Sequence, residues 1–393
     1  MTTKNNIPAG YKDSAVGIIP QKWEVKRLGA CFSIGHGRDY KHLSNGDIPV
    51  YGSGGIICYV GSFLHDGETV CIGRKGTINK PFYYNGQIWT VDTLFYTHSF
   101  QSVQPRYVGY LFDSIDWMRY NEATGVPSLT AKTISNIKKA VPPMEEQRKI
   151  AEILGVWDEA IEKQSRLIEK LELRKRALMQ RLLTGRTRLP GFTTPWQKVK
   201  LGEIGKLDKG AGVPKEKIVS GGCKAITYGE IYTKYDYVIK DFASYIDSDT
   251  AQTSKQISSG AILFAGSGET LEDIGKCIAF IDNDKAYAGG DIIIFNPTIE
   301  VDSLVLSYIL NSPVAIAQKR RYGQGHSVVH IYQKDLARIE FELPSHPEQK
   351  AIAEVLTTAD DEIATHRKKL DALRLQKRGL MQQLLTGKTR VKI

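Results

Sequence analysis

Three glycine-flanked loops carry the side chains best suited to chemistry: Tyr51-Gly52-Ser53-Gly54-Gly55, Gly73-Arg74-Lys75-Gly76-Thr77 and Gly323-Gln324-Gly325-His326-Ser327. Glycine lets a backbone approach a ligand closely, and Arg, Lys, Ser and Gln are side chains that contact phosphates and base edges. Ordinary turns use the same residues, so each loop taken singly leaves both readings open. Other patterns imitate catalytic motifs and fall short. Phe264-Ala265-Gly266-Ser267-Gly268-Glu269 resembles the glycine loop of S-adenosylmethionine-dependent methyltransferases, but the Asn/Asp-Pro-Pro-Tyr tetrapeptide of amino-methyltransferases is absent and Asn296-Pro297-Thr298 is its nearest approach. Gly387-Lys388-Thr389 imitates only the end of a phosphate-binding P-loop. His326 and His330 stand four apart, a helical spacing for metal ligands, but without an intervening glutamate. No nucleophile–base set stands out, so an enzymatic role has no support.

The elements that must position these loops are marked by a repeat. Residues 142–189 recur at 344–391 with a constant offset of 202 and no gap. About 22 of the 48 paired positions are identical, which marks a structural repeat. Both copies open alike, with Pro142, Glu146, Gln147, Ile150, Ala151 and Glu152 against Pro344, Glu348, Gln349, Ile352, Ala353 and Glu354. Both close on Leu-Leu-Thr-Gly, at 182–185 and 384–387.

Within each copy the apolar residues follow helical steps of three, four and seven. The first seam is Ile150, Leu154, Trp157, Ile161, Ile168, Leu171, Leu178 and Leu182; the second is Ile352, Leu356, Ala359, Ile363, Leu370, Leu373, Leu380 and Leu384. Gln164 and His366 interrupt one seam position, and Lys175 and Lys377 another. Polar residues in a seam penalise wrong registers, and matching interruptions predict that the two helices meet each other. Pro142-Pro143 with Glu145 and Glu146, and a capping box from Ser345 to Glu348, mark the starts; Gly185 and Gly387 mark the ends. Each helix of about 40 residues would extend roughly 60 Å.

The remaining chain forms two variable regions, roughly 1–141 and 190–343. They share only their flanks: Trp23 and Leu28-Gly29 match Trp196 and Leu201-Gly202, and Leu129, Ile134, Ile137 and Val141 match Ile331, Leu336, Ile339 and Leu343. Glu68–Gly73, Gln87–Val91, Ala261–Phe264 and Asp291–Phe295 read as strands, and Val108–Phe112 and Leu304–Leu310 as short helices. The predicted fold class is mixed α/β. The net charge of +10 favours a polyanionic partner. Five widely spaced cysteines argue against a disulfide framework and fit a reducing cytoplasm. No apolar run is long enough for a membrane span, and none at the start resembles an export signal.

Two variable regions, each followed by a Pro-x-x-x-Glu-Gln helix ending in Leu-Leu-Thr-Gly, resemble the specificity subunits of Type I restriction–modification enzymes. Ile19-Pro20-x-x-Trp23, Leu28-Gly29 and the stretch from Ile48 to Gly76 add to that resemblance. It implies two globular α/β target-recognition domains separated by two long helices packed as an antiparallel coiled coil, with a pseudo-twofold internal repeat. The divisions would be 1–143 and 187–344 for the recognition domains and 144–186 and 345–393 for the spacer helices. It implies a non-catalytic, cytoplasmic chain that reads double-stranded DNA and docks two methyltransferase subunits, joined by two restriction subunits in systems that have them. It implies no cofactor on this chain: S-adenosylmethionine belongs to the methyltransferase, and ATP and Mg2+ to the nuclease subunit. Each variable domain would read one half of an asymmetric split site, the halves separated by at most roughly 18 base pairs. The expected DNA face comprises Tyr51, Ser53, Arg74, Lys75 and Thr77 in the first domain and Tyr228, Ser267, Glu269, Gln324 and His326 in the second. A self-sufficient DNA-modifying enzyme, a coiled-coil scaffold without DNA contact, and a specificity protein of another defence system are the competing expectations.

Overall fold

The computed structural model describes residues 7–325 and 327–393 and divides them into two compact units. The first comprises residues up to 166 together with 367–393; the second is 167–366. The divisions therefore fall inside the two long helices, Met144–Leu182 and His346–Leu385, rather than at their ends. Each unit holds one variable region, the start of one helix and the end of the other.

In the first unit the chain builds an antiparallel four-stranded sheet in the order Ser33–His36, Leu94–His98, Glu68–Gly73, Phe82–Asn85. The strand Glu68–Gly73 is almost wholly buried, which suits its run Thr-Val-Cys-Ile better than a half-exposed position would. A smaller sheet pairs Asn45–Gly52 with Gly55–Val60 and, in parallel, with Trp89–Thr90. The expected strand Gln87–Val91 shrinks to Trp89–Thr90 because the Gln87 amide is held by Asp66 and the Ile88 backbone by His65. The helix Pro105–Asp113 covers the sheet, capped by the Gln104 side chain on the Tyr107 amide.

The second unit repeats this plan with a four-stranded antiparallel sheet, Gly205–Lys209, Ile292–Pro297, Ile262–Ala265, Cys277–Ala279. A five-stranded mixed sheet adds the extra length of this region. The helix Ser303–Leu310 takes the place of Pro105–Asp113 and is capped by Asp302. After Ile262–Ala265 the chain continues as the short strand Ser267–Gly268, not as a helix, so the glycine loop lacks the setting a methyltransferase needs. His330 lies in the strand Val329–His330 paired with Ser267–Gly268, which removes the helical spacing proposed for His326 and His330; His326 lies outside the described residues. Gly387 ends a helix with φ +70°, as Gly185 does with φ +65°.

The seam residues hold each pair of helix segments together. Ile150, Leu154, Ile168, Leu171, Leu182, Ile352, Leu356, Ala359, Ile363, Leu370 and Leu384 are buried, and Trp157, Ile161, Leu178, Leu373 and Leu380 are half-buried. In the first unit Ile150, Ala151 and Leu154 share a core with Leu384, Leu385, Leu380 and Met381. In the second, Leu182, Leu183, Leu178 and Met179 share one with Ile352, Ala353 and Leu356. The beginning of each helix meets the end of the other, so both pairings are antiparallel.

The Glu-Gln pair of each repeat is buried, and the structure shows why. Glu146 accepts a hydrogen bond from the Trp23 indole at 2.9 Å and an ion pair from Arg390 at 2.6 Å. Glu348 accepts the Trp196 indole at 2.9 Å and pairs with Arg188 at 2.6 Å. Gln147 accepts from the Gln104 amide and donates to the Pro142 carbonyl; Gln349 accepts from the Asp302 amide and donates to the Pro344 carbonyl. A buried charge needs such partners, since burial without them costs several kcal/mol. The seam lysines answer the same demand: Lys175 pairs with Asp360, which also accepts from Tyr308, and Lys377 pairs with Asp158, which also accepts from Tyr110.

Candidate nucleic-acid interface

In the first unit the two glycine loops converge. Strands Asn45–Gly52 and Gly55–Val60 leave Ser53-Gly54 as a hairpin turn. Gly76, with φ +91°, lies so close that a side chain there would begin 3.1 Å from the Ser53 hydroxyl. The loop after Glu68–Gly73 is pinned on both sides: the Arg74 amide donates to the Thr93 carbonyl at 2.8 Å, and the Arg74 carbonyl accepts from the Leu129 amide at 2.9 Å. Arg74 and Lys75 nevertheless project outward and are exposed, and among the described residues neither has a carboxylate partner. The Arg74 guanidinium donates to the Asp92 carbonyl at 3.0 Å, which orients it without neutralising it. Tyr51 is half-buried against Phe82 and Tyr84, and Thr77 is half-buried. Burial, helped by Tyr84, raises the Tyr51 phenol above its ordinary value, so it remains a neutral hydroxyl at physiological pH.

The second unit pins the corresponding segment in the same way. The Gly266 amide donates to the Asp291 carbonyl at 2.8 Å, and the Gly266 carbonyl accepts from the Ile331 amide at 3.0 Å. Gly266 and Ser267 thus occupy the positions that Arg74 and Lys75 occupy in the first unit. Ser267 is buried, with its hydroxyl 3.0 Å from His330 Nδ1 and its carbonyl accepting from Tyr232. Tyr228, exposed, lies one turn before Tyr232 on the helix Tyr228–Thr233. Glu269 and Gln324 are exposed, and the Gln324 backbone is paired with His330. A cleft of about 390 Å³ opens beside Ser267, lined among others by Lys209, Asp291, His330, Gln333 and Lys334.

The arrangement therefore brings Tyr51, Ser53, Arg74, Lys75 and Thr77 to one locality. It places Ser267 and Gln324 on either side of His330, with Tyr228 and Glu269 nearby in the chain. The residues that the sequence did not single out are Lys209 and Lys334 at the cleft and the segment Glu122–Ser128 in the first unit. The last of these had a signal: Glu122 and Gln324 are separated by the repeat offset of 202, as are Ser128 and His330.

A pinned loop that presents two unpaired cations on a basic chain suits a phosphate backbone, and the comparisons with known proteins point the same way. The family described as Type I restriction modification DNA specificity domain matches residues 20–173 and 193–375. The type I restriction enzyme MjaVIII specificity subunit of Methanocaldococcus jannaschii is 27% identical over 285 residues, covering 69% of this chain and 66% of that protein. The MjaIX specificity subunit of the same organism is 24% identical over 306 residues, covering 67% of this chain and 70% of that one. In fold, the chain is similar to the Type I restriction–modification S subunit from M. genitalium, with a TM-score of 0.62, 13% identity and 98% coverage of both chains. It is also similar to a chain from a structure of the assembly and conformational transition of the type I R-M system, with a TM-score of 0.57, 16% identity and coverage of 94% and 99%. Among the described residues no helix is long and apolar enough to cross a membrane. With both repeats of the family pattern present, each carrying the same pinned loop, the chain belongs to the family of Type I restriction–modification specificity subunits.

Proposed function

We propose that this chain selects the DNA sequence on which a Type I restriction–modification complex acts, each unit reading one half of an asymmetric, split site. The observation that carries this is the equivalence of the two pinned loops: the same backbone bonds hold exposed Arg74-Lys75 in the first unit and Gly266 with a buried Ser267 in the second. A common frame with different side chains is what two unlike half-sites require. Arg and Lys suit phosphates and guanine, Gln suits adenine, and Glu accepts from cytosine.

The two long helices set the separation of the half-sites and dock two methyltransferase subunits, with two restriction subunits added where the system has them. S-adenosylmethionine enters on the methyltransferase, and ATP and Mg2+ on the restriction subunit; this chain supplies sequence choice and no chemical step. A subunit acting on chromosomal DNA works in the cytoplasm.

The test is genome-wide mapping of N6-methyladenine in cells that express this chain with its methyltransferase, against cells with the methyltransferase alone. A split motif with unlike halves that depends on this chain is the expected result. Absence of chain-dependent methylation, with both proteins folded and associated, would sink the proposal in favour of a scaffold or of a system with other chemistry.

A further inference from the structure

The segment Glu122–Ser128 of the first unit stands where Gln324–His330 stands in the second. The Glu122 amide donates to the Ser128 carbonyl at 3.0 Å, and the Gln324 amide donates to the His330 carbonyl at 2.9 Å. The segment lies directly against the cations: Lys75 forms a backbone bridge with Ser128, and the Gly76 amide donates to the Pro127 carbonyl at 2.8 Å.

Its ends are held. The Asn121 side chain donates to the Ala123 carbonyl at 2.8 Å and accepts from the Ala123 and Ser128 amides at 3.1 and 2.9 Å. Pro127 restricts the backbone further. Between these anchors Thr124, Gly125 and Val126 are exposed, and Val126 leaves 54% of its surface in solvent. A single exposed apolar residue is ordinary on a protein surface. Val126 differs in being presented by a held loop beside two exposed, unpaired cations. Those cations disfavour an apolar protein partner and favour a surface that offers phosphates and a methyl group together. The major groove offers both, the methyl being that of thymine.

We propose that Thr124–Val126 is a second base-reading element of the first unit. Val126 packs against a thymine methyl, the Thr124 hydroxyl bonds a base edge, and Arg74 and Lys75 hold the adjoining phosphates. This rests on the DNA-reading function proposed above and names residues for it that neither loop composition nor the glycine pattern indicates.

The experiment maps N6-methyladenine in cells that carry the methyltransferase with the wild-type chain, Val126→Ala, Thr124→Ala, or Arg74→Ala with Lys75→Ala. A truncation at an exposed position leaves the fold intact, which thermal unfolding of each purified complex checks. We expect Val126→Ala and Thr124→Ala to lower the preference for cognate over single-mismatch sites roughly ten-fold at one or two positions of one half-site. The other half-site stays unchanged. If only the Arg74/Lys75 variant alters methylation, the loop has no reading role, while the parent function stands. If no variant alters either half while methylation still depends on the chain, these residues lie off the DNA and the inference fails; only loss of chain-dependent methylation by the wild-type chain would sink the parent function. If Val126→Ala releases the methyltransferase from the complex without changing which sites are methylated, the loop is a protein-docking surface and the inference is overturned.

Discussion

At the scale of single residues, the proposed interface rests on cations that the fold orients but leaves unpaired. Arg74 and Lys75 are held by backbone bonds on both sides, so replacing either side chain leaves the frame in place. Arg74→Ala with Lys75→Ala should weaken DNA binding of the assembled complex across all sequences. It should also reduce the slope of log affinity against log salt by about 1 for each phosphate that is no longer neutralised. A titration at several salt concentrations that shows the wild-type affinity and slope would place these residues off the DNA. Lys319 is a different case. It is buried, with its ammonium donating to the Gly275 carbonyl at 2.7 Å, and burial lowers its pKa while neighbouring Cys277 opposes the shift only in part. A lysine whose folded pKa is depressed binds fewer protons folded than unfolded, so its burden on stability is greatest at low pH and eases as pH rises toward the unfolded value near 10.4. Lys319→Met should therefore flatten the part of the rise in melting temperature that leads up to about pH 10.4. Parallel pH profiles for the two proteins would contradict this.

At the scale of elements, each helix start is fastened to the other helix's end by a tryptophan, a buried glutamate and an arginine. Trp23→Phe removes one hydrogen bond to Glu146 and should cost about 1–3 kcal/mol. Arg390→Ala leaves Glu146 buried without its counter-charge; because a third of the Arg390 side chain reaches solvent, a cost of about 2 kcal/mol is expected, below that of a fully buried pair. Urea unfolding that gave either variant the wild-type midpoint would show that the clasp is dispensable. The lysines in the seam act on register. Lys377 meets Asp158, and Lys175 meets Asp360, so a slip by one heptad would strand a charge against leucines. In a double-mutant cycle, Lys377→Met and Asp158→Asn should show coupling of about 1 kcal/mol or more, since either change alone leaves a half-buried charge unpartnered. Additive effects would mean that the pair contributes nothing specific.

At the scale of the whole molecule, the duplication predicts that the two halves of a target vary independently. Each unit has its own four-stranded sheet, its own capped short helix and its own pinned loop. Exchanging residues 1–143 for the first region of another specificity chain should change one half of the methylated motif and leave the other as it was. Methylome mapping of such a chimera that showed both halves altered, or neither, would contradict separate reading by the two units.

The repeat, the two long helices and their apolar seams were legible in the sequence because helical periodicity is local and because the offset of 202 never slips. Strands were legible where a continuous apolar run is buried, as in Ile262–Ala265, and less so at Gln87–Val91, where Asp66 accepts from the Gln87 side chain and the Trp89 indole donates to the Arg38 carbonyl. The arginines Arg188 and Arg390 were visible as repeat identities, but nothing local shows that each must reach a glutamate more than a hundred residues away. The same holds for the interface. Composition marked Arg74 and Lys75 as exposed polar residues in a glycine loop, but only the tertiary structure set them beside Ser53 and Pro127, equated them with Gly266 and Ser267, and showed Ser267 committed to His330. Sequence alone determined the two long helices and their duplication, because these follow from local periodicity and identity. Tertiary structure decided which loops meet and which charges stay free, because those depend on backbone hydrogen bonds between segments far apart in the chain.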